Sequence, residues 1–246
     1  MKKESVLLEV CANSLDSAQE AQLGGADRIE LCSALELGGL TPSAATLHLV
    51  RQSIDLPIFV LIRPRGGDFC YSPQEWEVIF HDIQWAKKLG ADGIVCGALS
   101  NTANIDLEKT QQLLEASHPL PLTFHRAFDR CVDPIGALQQ LMDLGLSRIL
   151  SSGQEATALQ GRNLLKQMVE QAADQLTILA GAGINSDNAK QLVEETGLRE
   201  IHFSAKRKVM PAVFGNAQKK NAFSDGTYWL TDAREIKNVR TALMKP

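Results

Sequence analysis

Short apolar runs rich in β-branched residues alternate with longer stretches whose apolar positions recur at helical spacing, and this alternation is the strongest pattern in the chain. Eight runs predict strands, near Leu7 to Cys11, Arg28 to Cys32, Ile58 to Ile62, Gly93 to Cys96, Leu122 to His125, Arg148 to Ser151, Thr177 to Ala180 and Glu200 to Phe203. Helical segments between them include Glu75 to Leu89, Leu107 to Ala116, Ile135 to Leu144 and Asn188 to Glu195, and a last helix is predicted near Ala233 to Leu243. Several of these stretches end on glycine just before the next strand, as at Gly24-Gly25, Gly90, Gly145 and Gly197. Glycine there accepts the left-handed conformation that stops a helix. Eight such units predict an α/β chain folded as one (β/α)8 barrel over residues 1–246, a length typical of that fold. An open sheet of nine or ten strands is the less economical alternative. The segment Ala205 to Thr231 breaks the rhythm, with weak periodicity, several lysines and glycines, Phe214, Phe223, Tyr228 and Trp229. A connection that long suggests a lid, a mobile loop or a contact with another subunit.

Strand parity converts this pattern into chemistry, because residues facing the helices of a parallel barrel are apolar. Leu8, Val10, Ile29 and Leu31 take that outer face, which turns Glu9, Cys11, Glu30 and Cys32 inward. The same rule points Arg63, Thr123, His125, His202 and Ser204 into the barrel, so Glu9, Glu30, Arg63, His125 and His202 gather at one end. If the register of the first two strands is level, the two glutamates sit close enough to push one pKa up, with Arg63 opposing the shift. Such a cluster suits acid/base work on a small polar substrate, with Glu9, Glu30, His125 and His202 as the catalytic candidates. The competing reading is a self-neutralising Glu-Arg-Glu network that plugs the barrel.

Two further stretches point to an anionic ligand. Leu61-Ile62-Arg63-Pro64-Arg65-Gly66-Gly67-Asp68-Phe69 ends a strand in two guanidinium groups of equal parity, a clamp for a carboxylate or phosphate if the chain stays extended. Ala180-Gly181-Ala182-Gly183-Ile184, with Ser204 at the end of the last strand, could cradle a phosphate on backbone N–H groups, or simply turn tightly.

Charge and cysteine usage narrow the partners. The net charge is −4 and the basic residues cluster only at Lys206-Arg207-Lys208 and Lys219-Lys220, which argues against nucleic acid. No apolar run approaches a membrane span, and Glu9 interrupts the first one before it could act as an export signal. Five cysteines, an odd number, predict reduced thiols in a cytoplasmic protein. Cys11 and Cys32 end adjacent strands at equivalent positions, a pair suited to a soft, low-coordinate ion such as Cu(I), although small core residues are the plainer reading. Cys70 is expected to be exposed, and Cys96 and Cys131 to be packing or loop residues.

Long motifs spread over most of the chain carry a family resemblance. Leu8-Glu9-Val10-Cys11, Asp27-Arg28-Ile29-Glu30-Leu31-Cys32, Gly38-Gly39-Leu40-Thr41-Pro42-Ser43, the Arg63 to Phe69 loop, Thr123-Phe124-His125-Arg126-Ala127-Phe128-Asp129, Leu150-Ser151-Ser152-Gly153 and His202-Phe203-Ser204-Ala205 together resemble the CutC copper homeostasis family. The resemblance implies a cytoplasmic (β/α)8 barrel, commonly a homodimer, that serves copper tolerance and binds Cu(I) at Cys11 and Cys32. An enzyme acting on a small anionic or sugar-like substrate is the alternative expectation. Its substrate contacts would be Arg63, Arg65, Asp68, Arg126, Asp129, Ser152, Gly181, Gly183 and Ser204.

Overall fold

The computed structural model describes residues 5–210 and 226–244. Eight parallel strands close into a barrel: β1 (Leu7–Ala12), β2 (Arg28–Leu31), β3 (Ile58–Leu61), β4 (Gly93–Cys96), β5 (Leu122–Phe124), β6 (Arg148–Ser151), β7 (Thr177–Gly181) and β8 (Glu200–Phe203). They pair in chain order, and β8 closes on β1. Outside them lie α1 (Leu15–Gly24), α2 (Ala44–Ser53), α3 (Pro73–Lys88), α4 (Leu107–Ser117), α5 (Pro134–Asp143), α6 (Arg162–Ala172), α7 (Ala189–Thr196) and α8 (Ala233–Met244). The fold is the expected TIM barrel.

Local sequence explains where the helices begin and end. Before α3, the Ser72 side chain accepts the Glu75 N–H and Glu75 returns a bond from the Ser72 N–H, with Pro73 preset for the first turn. Helices α1 and α7 stop at Gly25 and Gly197, both left-handed at φ 83° and 74°. Between strands and helices lies a continuous apolar layer that includes Leu8, Val10, Ile29, Leu31, Ile58, Ile94, Ile201 and Ile236, all fully buried. Each such side chain contributes about 1.5–3 kcal/mol through burial.

The barrel interior is divided. An apolar cluster of Cys11, Cys32, Phe59, Leu61 and Val95 occupies part of it. The rest is an ion network. Arg28 binds Glu9 through Nε, its Nη2 reaches Glu200 at 2.6 Å, and Arg148 approaches the same Glu200 carboxylate at 3.0 Å. Both cations lie over the Phe59 ring, which is 4.7 Å from the Arg28 guanidinium carbon and 5.1 Å from that of Arg148. Phe59 fits because its neighbour on β4 is Gly93, where a Cβ would meet the ring at 2.5 Å.

The expected plug therefore exists with different members. Arg28, Arg148 and Glu200 form it with Glu9, and Glu30 and Arg63 stand apart. Nor is the register level, since Glu9 pairs with Arg28 and Cys11 with Glu30, which sets the two glutamates one inward step apart.

The irregular segment after β8 also gains structure at both ends. Strands β9 (Lys206–Val209) and β10 (Tyr228–Thr231) pair antiparallel, Lys206 opposite Thr231 and Val209 opposite Tyr228. The Thr231 N–H donates to Ser17 Oγ at 3.2 Å and the Asn13 amide to the Trp229 carbonyl at 3.2 Å, which fastens β10 to the start of α1. Phe214 and Phe223 lie outside the described residues.

Candidate functional site

The carboxyl ends of the strands surround a cavity of about 600 Å³. Cys11, Glu30, Arg63, His125 and His202 line it, joined by Arg126, Gly183, Asn185 and Ser204 from the connections after the strands and by Lys206 and Arg207 of β9.

A compact donor cluster sits at its wall. Cys11 Sγ lies 3.4 Å from Cys32 Sγ and 3.7 Å from Glu30 Oε1. One ligand atom each from Cys11, Glu30 and His202 falls within 4.8 Å of the others. His202 Nδ1 meets Glu9 Oε1 at 2.8 Å, a contact that fixes the ring, and the His202 side chain also meets Cys11. Cys32 is fully buried behind Cys11, and its sulfur reaches no part of the cavity wall.

Burial and pairing separate the charge states. The hydrogen bond with Cys32, burial and the Glu30 charge hold the Cys11 thiol well above its ordinary range, so it is protonated in the metal-free protein. Desolvation would raise Glu9, but the His202 hydrogen bond and the charges of Arg28 and His202 win and bring it to about 2. Burial pushes Glu30 up, with His202 and Arg28 opposing. The two glutamates thus diverge as expected, but Arg28 and His202 act on them in place of Arg63. Desolvation alone would lower His202, yet the surrounding Glu30, Cys11 and Glu9 hold it well above its usual value.

Arg63 and Arg65 do not form a clamp. β3 ends at Leu61 and the chain turns. Arg63 turns inward, donating through Nη1 to the Leu37 and Gly39 carbonyls at 2.9 and 3.0 Å and through Nη2 to Gly67 at 3.2 Å. Gly39 serves this contact with a left-handed φ of 88°, and a Cβ there would lie 2.6 Å from Leu61. Arg65 leaves the cavity for Glu75 at 2.5 Å and Asp68 at 2.9 Å, and the Asp68 side chain is itself largely exposed. Thus neither Arg65 nor Asp68 reaches a ligand in the cavity.

Asp129 and Ser152 also turn to structure. Asp129 accepts from Ser151 Oγ at 2.6 Å, from the Ser152 N–H at 2.9 Å and from Arg126 Nε at 2.8 Å, tying β6 to the turn after β5. Gly181 stays off the cavity wall, and its missing side chain makes room for Leu150, which a Cβ would meet at 2.7 Å. Gly183, Ser204 and Arg126 do line the cavity. Cys70 is exposed and Cys96 and Cys131 are buried, in line with expectation for the first and with packing for the other two.

Parity had the means to find Arg28, Arg148 and Glu200, since Arg28 shares the face of Glu30, Arg148 that of Leu150, and Glu200 that of His202. Lys206 and Arg207 reach the cavity from β9 and Asn185 from the loop after β7, where no periodicity marks them.

Fold and site define a (β/α)8 barrel with a thiol, imidazole and carboxylate chamber at the carboxyl ends of its strands. Residues 6–207 match the CutC family model, and the chain belongs to the CutC family. It is 45% identical over 241 residues to a CutC family protein of Pasteurella multocida, spanning 97% of this chain and 99% of the relative. It is 50% identical over 200 residues to the human copper homeostasis protein cutC homolog, spanning 81% of this chain and 73% of the relative. A crystal structure of a Streptococcus agalactiae protein described as a copper homeostasis protein CutC superposes with a TM-score of 0.77 at 34% identity, over 81% of this chain and 98% of that one.

Proposed function

We propose that this chain is a copper homeostasis protein that binds Cu(I) through the thiolates of Cys11 and Cys32, with His202 as a neighbouring third donor. The carrying observation is the 3.4 Å approach of the two sulfurs beside the cavity. Two soft sulfurs with an imidazole suit Cu(I), and the names of the relatives agree with that cargo. With the zinc–thiolate distance of about 2.3 Å as a guide, a trigonal centre holds two sulfurs about 4 Å apart, so the thiols need only swing slightly open. Each thiol gives up its proton as its bond to copper forms, and His202, kept charged by its neighbours, gives up a third on joining, so uptake strengthens as pH rises. His202 can join the metal only as neutral imidazole, which favours uptake at higher pH in the same way.

The five free thiols fit a reducing cytoplasm, and a homodimer belongs to the same reading. Light scattering of the purified protein tests the dimer.

The test of copper binding is an anaerobic Cu(I) competition titration against a chromogenic chelator. Wild-type protein is expected to take one Cu(I) per chain. The double variant Cys11→Ser/Cys32→Ser should lose about two orders of magnitude or more in affinity, as removal of both soft donors demands. Cys70→Ser, which alters an exposed thiol away from the cavity, should bind as wild type. Binding that ignores the double substitution would remove copper from this site.

A further inference from the structure

Copper binding uses one wall of the cavity and leaves the rest of its chemistry without a task. Three side chains at the cavity, Glu30, Arg63 and His125, are each more than nine-tenths buried. Each keeps one polar atom with no hydrogen-bond partner: Glu30 Oε2, Arg63 Nε and His125 Nε2. Buried orphans of this kind are rare in folded proteins. These three atoms are closed to solvent as the side chains stand, so a ligand in the cavity meets them through a small shift of those side chains. Neither a guanidinium nor a ring N–H can ligate a metal cation.

Their donor and acceptor roles are set. Burial and the Arg63 charge bring His125 down to about 3, so its ring is neutral at physiological pH. Nδ1 accepts the Ala127 N–H at 3.3 Å, which leaves the proton on Nε2 and makes that atom a donor. Nη1 of Arg63 spends both N–H groups on carbonyls and Nη2 spends one, so Nε–H and one Nη2–H remain, with the Tyr71 side chain close by. Glu30 Oε2 adds a carboxyl oxygen. Two N–H donors and a carboxyl oxygen match hydroxyl or carbonyl groups of a polar organic molecule.

The rim adds positive charge. Arg126, Lys206 and Arg207 line it, Arg126 also bonded to Asp129 and Ser152 and Lys206 lying over the Trp229 ring. Asp232 and Glu235 line the same space and are engaged, Asp232 with Arg234 at 2.8 Å and Glu235 with the Ser186 N–H at 2.8 Å. Gly183, left-handed at φ 70°, lets the loop after β7 face the same space without a side chain. Cations and the loops after the last two strands suit a phosphate, whose oxygens accept several charged donors at once.

We propose that this chamber binds a small hydroxylated phosphate ester of the sugar phosphate class, its phosphate at Arg126, Lys206 and Arg207 and its hydroxyl or carbonyl groups at Arg63, His125 and Glu30. A volume of about 600 Å³ holds such a molecule. The proposal is independent of copper, since it rests on atoms that copper does not use.

The experiment is isothermal titration of metal-free protein with ribose 5-phosphate, glycerol 3-phosphate and glucose 6-phosphate, beside inorganic phosphate, ribose and gluconate. At least one ester should bind with a dissociation constant below about 1 mM, and about tenfold or more tighter than inorganic phosphate and ribose. Arg126→Gln and His125→Gln should each weaken that ester about tenfold, the worth of one strong hydrogen bond, with circular dichroism confirming the fold. Arg199→Gln, a distant surface change, should leave it unaltered. Three outcomes overturn the proposal: no ester saturates the protein, inorganic phosphate binds as well as the esters, or gluconate binds in their place. The copper titration is run separately, so either reading can fail alone.

Discussion

His125 shows how much one buried ring can do. It is enclosed by Phe69, whose ring centroid lies 4.8 Å away, and held beside the Arg63 charge. Its folded-state pKa of about 3 lies below the ordinary histidine value, so the unfolded chain binds the extra proton between about pH 6.5 and 3. The stability this ring contributes is complete above that window and is lost as pH falls through it, with a slope of about 1.4 kcal/mol per pH unit. Urea unfolding at pH 7 and pH 5 should show the wild type losing more stability on acidification than His125→Gln. Equal losses would mean that the folded ring titrates at the same pH as in the unfolded chain. Glu9 supplies a second residue-scale expectation. Glu9→Gln strips Arg28 and His202 of a buried counter-charge, at a cost of about 3–5 kcal/mol by urea unfolding. A cost below about 1 kcal/mol would show that Glu200 suffices as the partner of Arg28.

At the level of elements, strand identity and order were legible because a barrel strand is apolar on its outer face and short, and each helix end carries glycine or a capping residue. Register was not legible. Parity places Glu9 and Glu30 on the inner face, yet nothing within either strand states that Glu9 lies level with Arg28, because stagger is a property of barrel closure. The Arg63 to Asp68 loop failed for a related reason: equal parity holds only while the chain is extended, and the turn after Leu61 sends Arg63 and Arg65 in opposite directions. The β3–β4 contact gives a test at this scale. Gly93→Ala puts a methyl against the Phe59 ring and should cost about 1–3 kcal/mol, and Phe59→Leu in the same chain should recover part of it. Additive losses in the double variant would mean that the two positions do not meet.

Taken whole, the molecule separates its duties along the barrel axis. Ion pairs and Phe59 fill one zone, the thiols and His202 stand above them, and the cavity opens beyond. Parity turned both thiols inward, but their expected equivalent positions do not hold: Cys11 lies opposite Glu30, so Cys32 stands one inward step further along and the sulfurs meet across that offset. The orphaned polar atoms were not readable from the sequence, because a missing partner is visible only once every neighbour is placed. Among the described residues, no helix is long and apolar enough to cross a membrane.

The placement of Cys32 behind Cys11 imposes an order on events in time. A reagent or a copper donor arriving through the cavity meets one sulfur before the other, so alkylation by a bulky maleimide should label Cys70 at once, Cys11 slowly and Cys32 last. With copper as the proposed cargo, transfer would proceed as a relay, a donor holding the ion until the outer sulfur had taken hold and departure retracing the same steps. Slow exchange would then follow from a single side chain standing in the doorway.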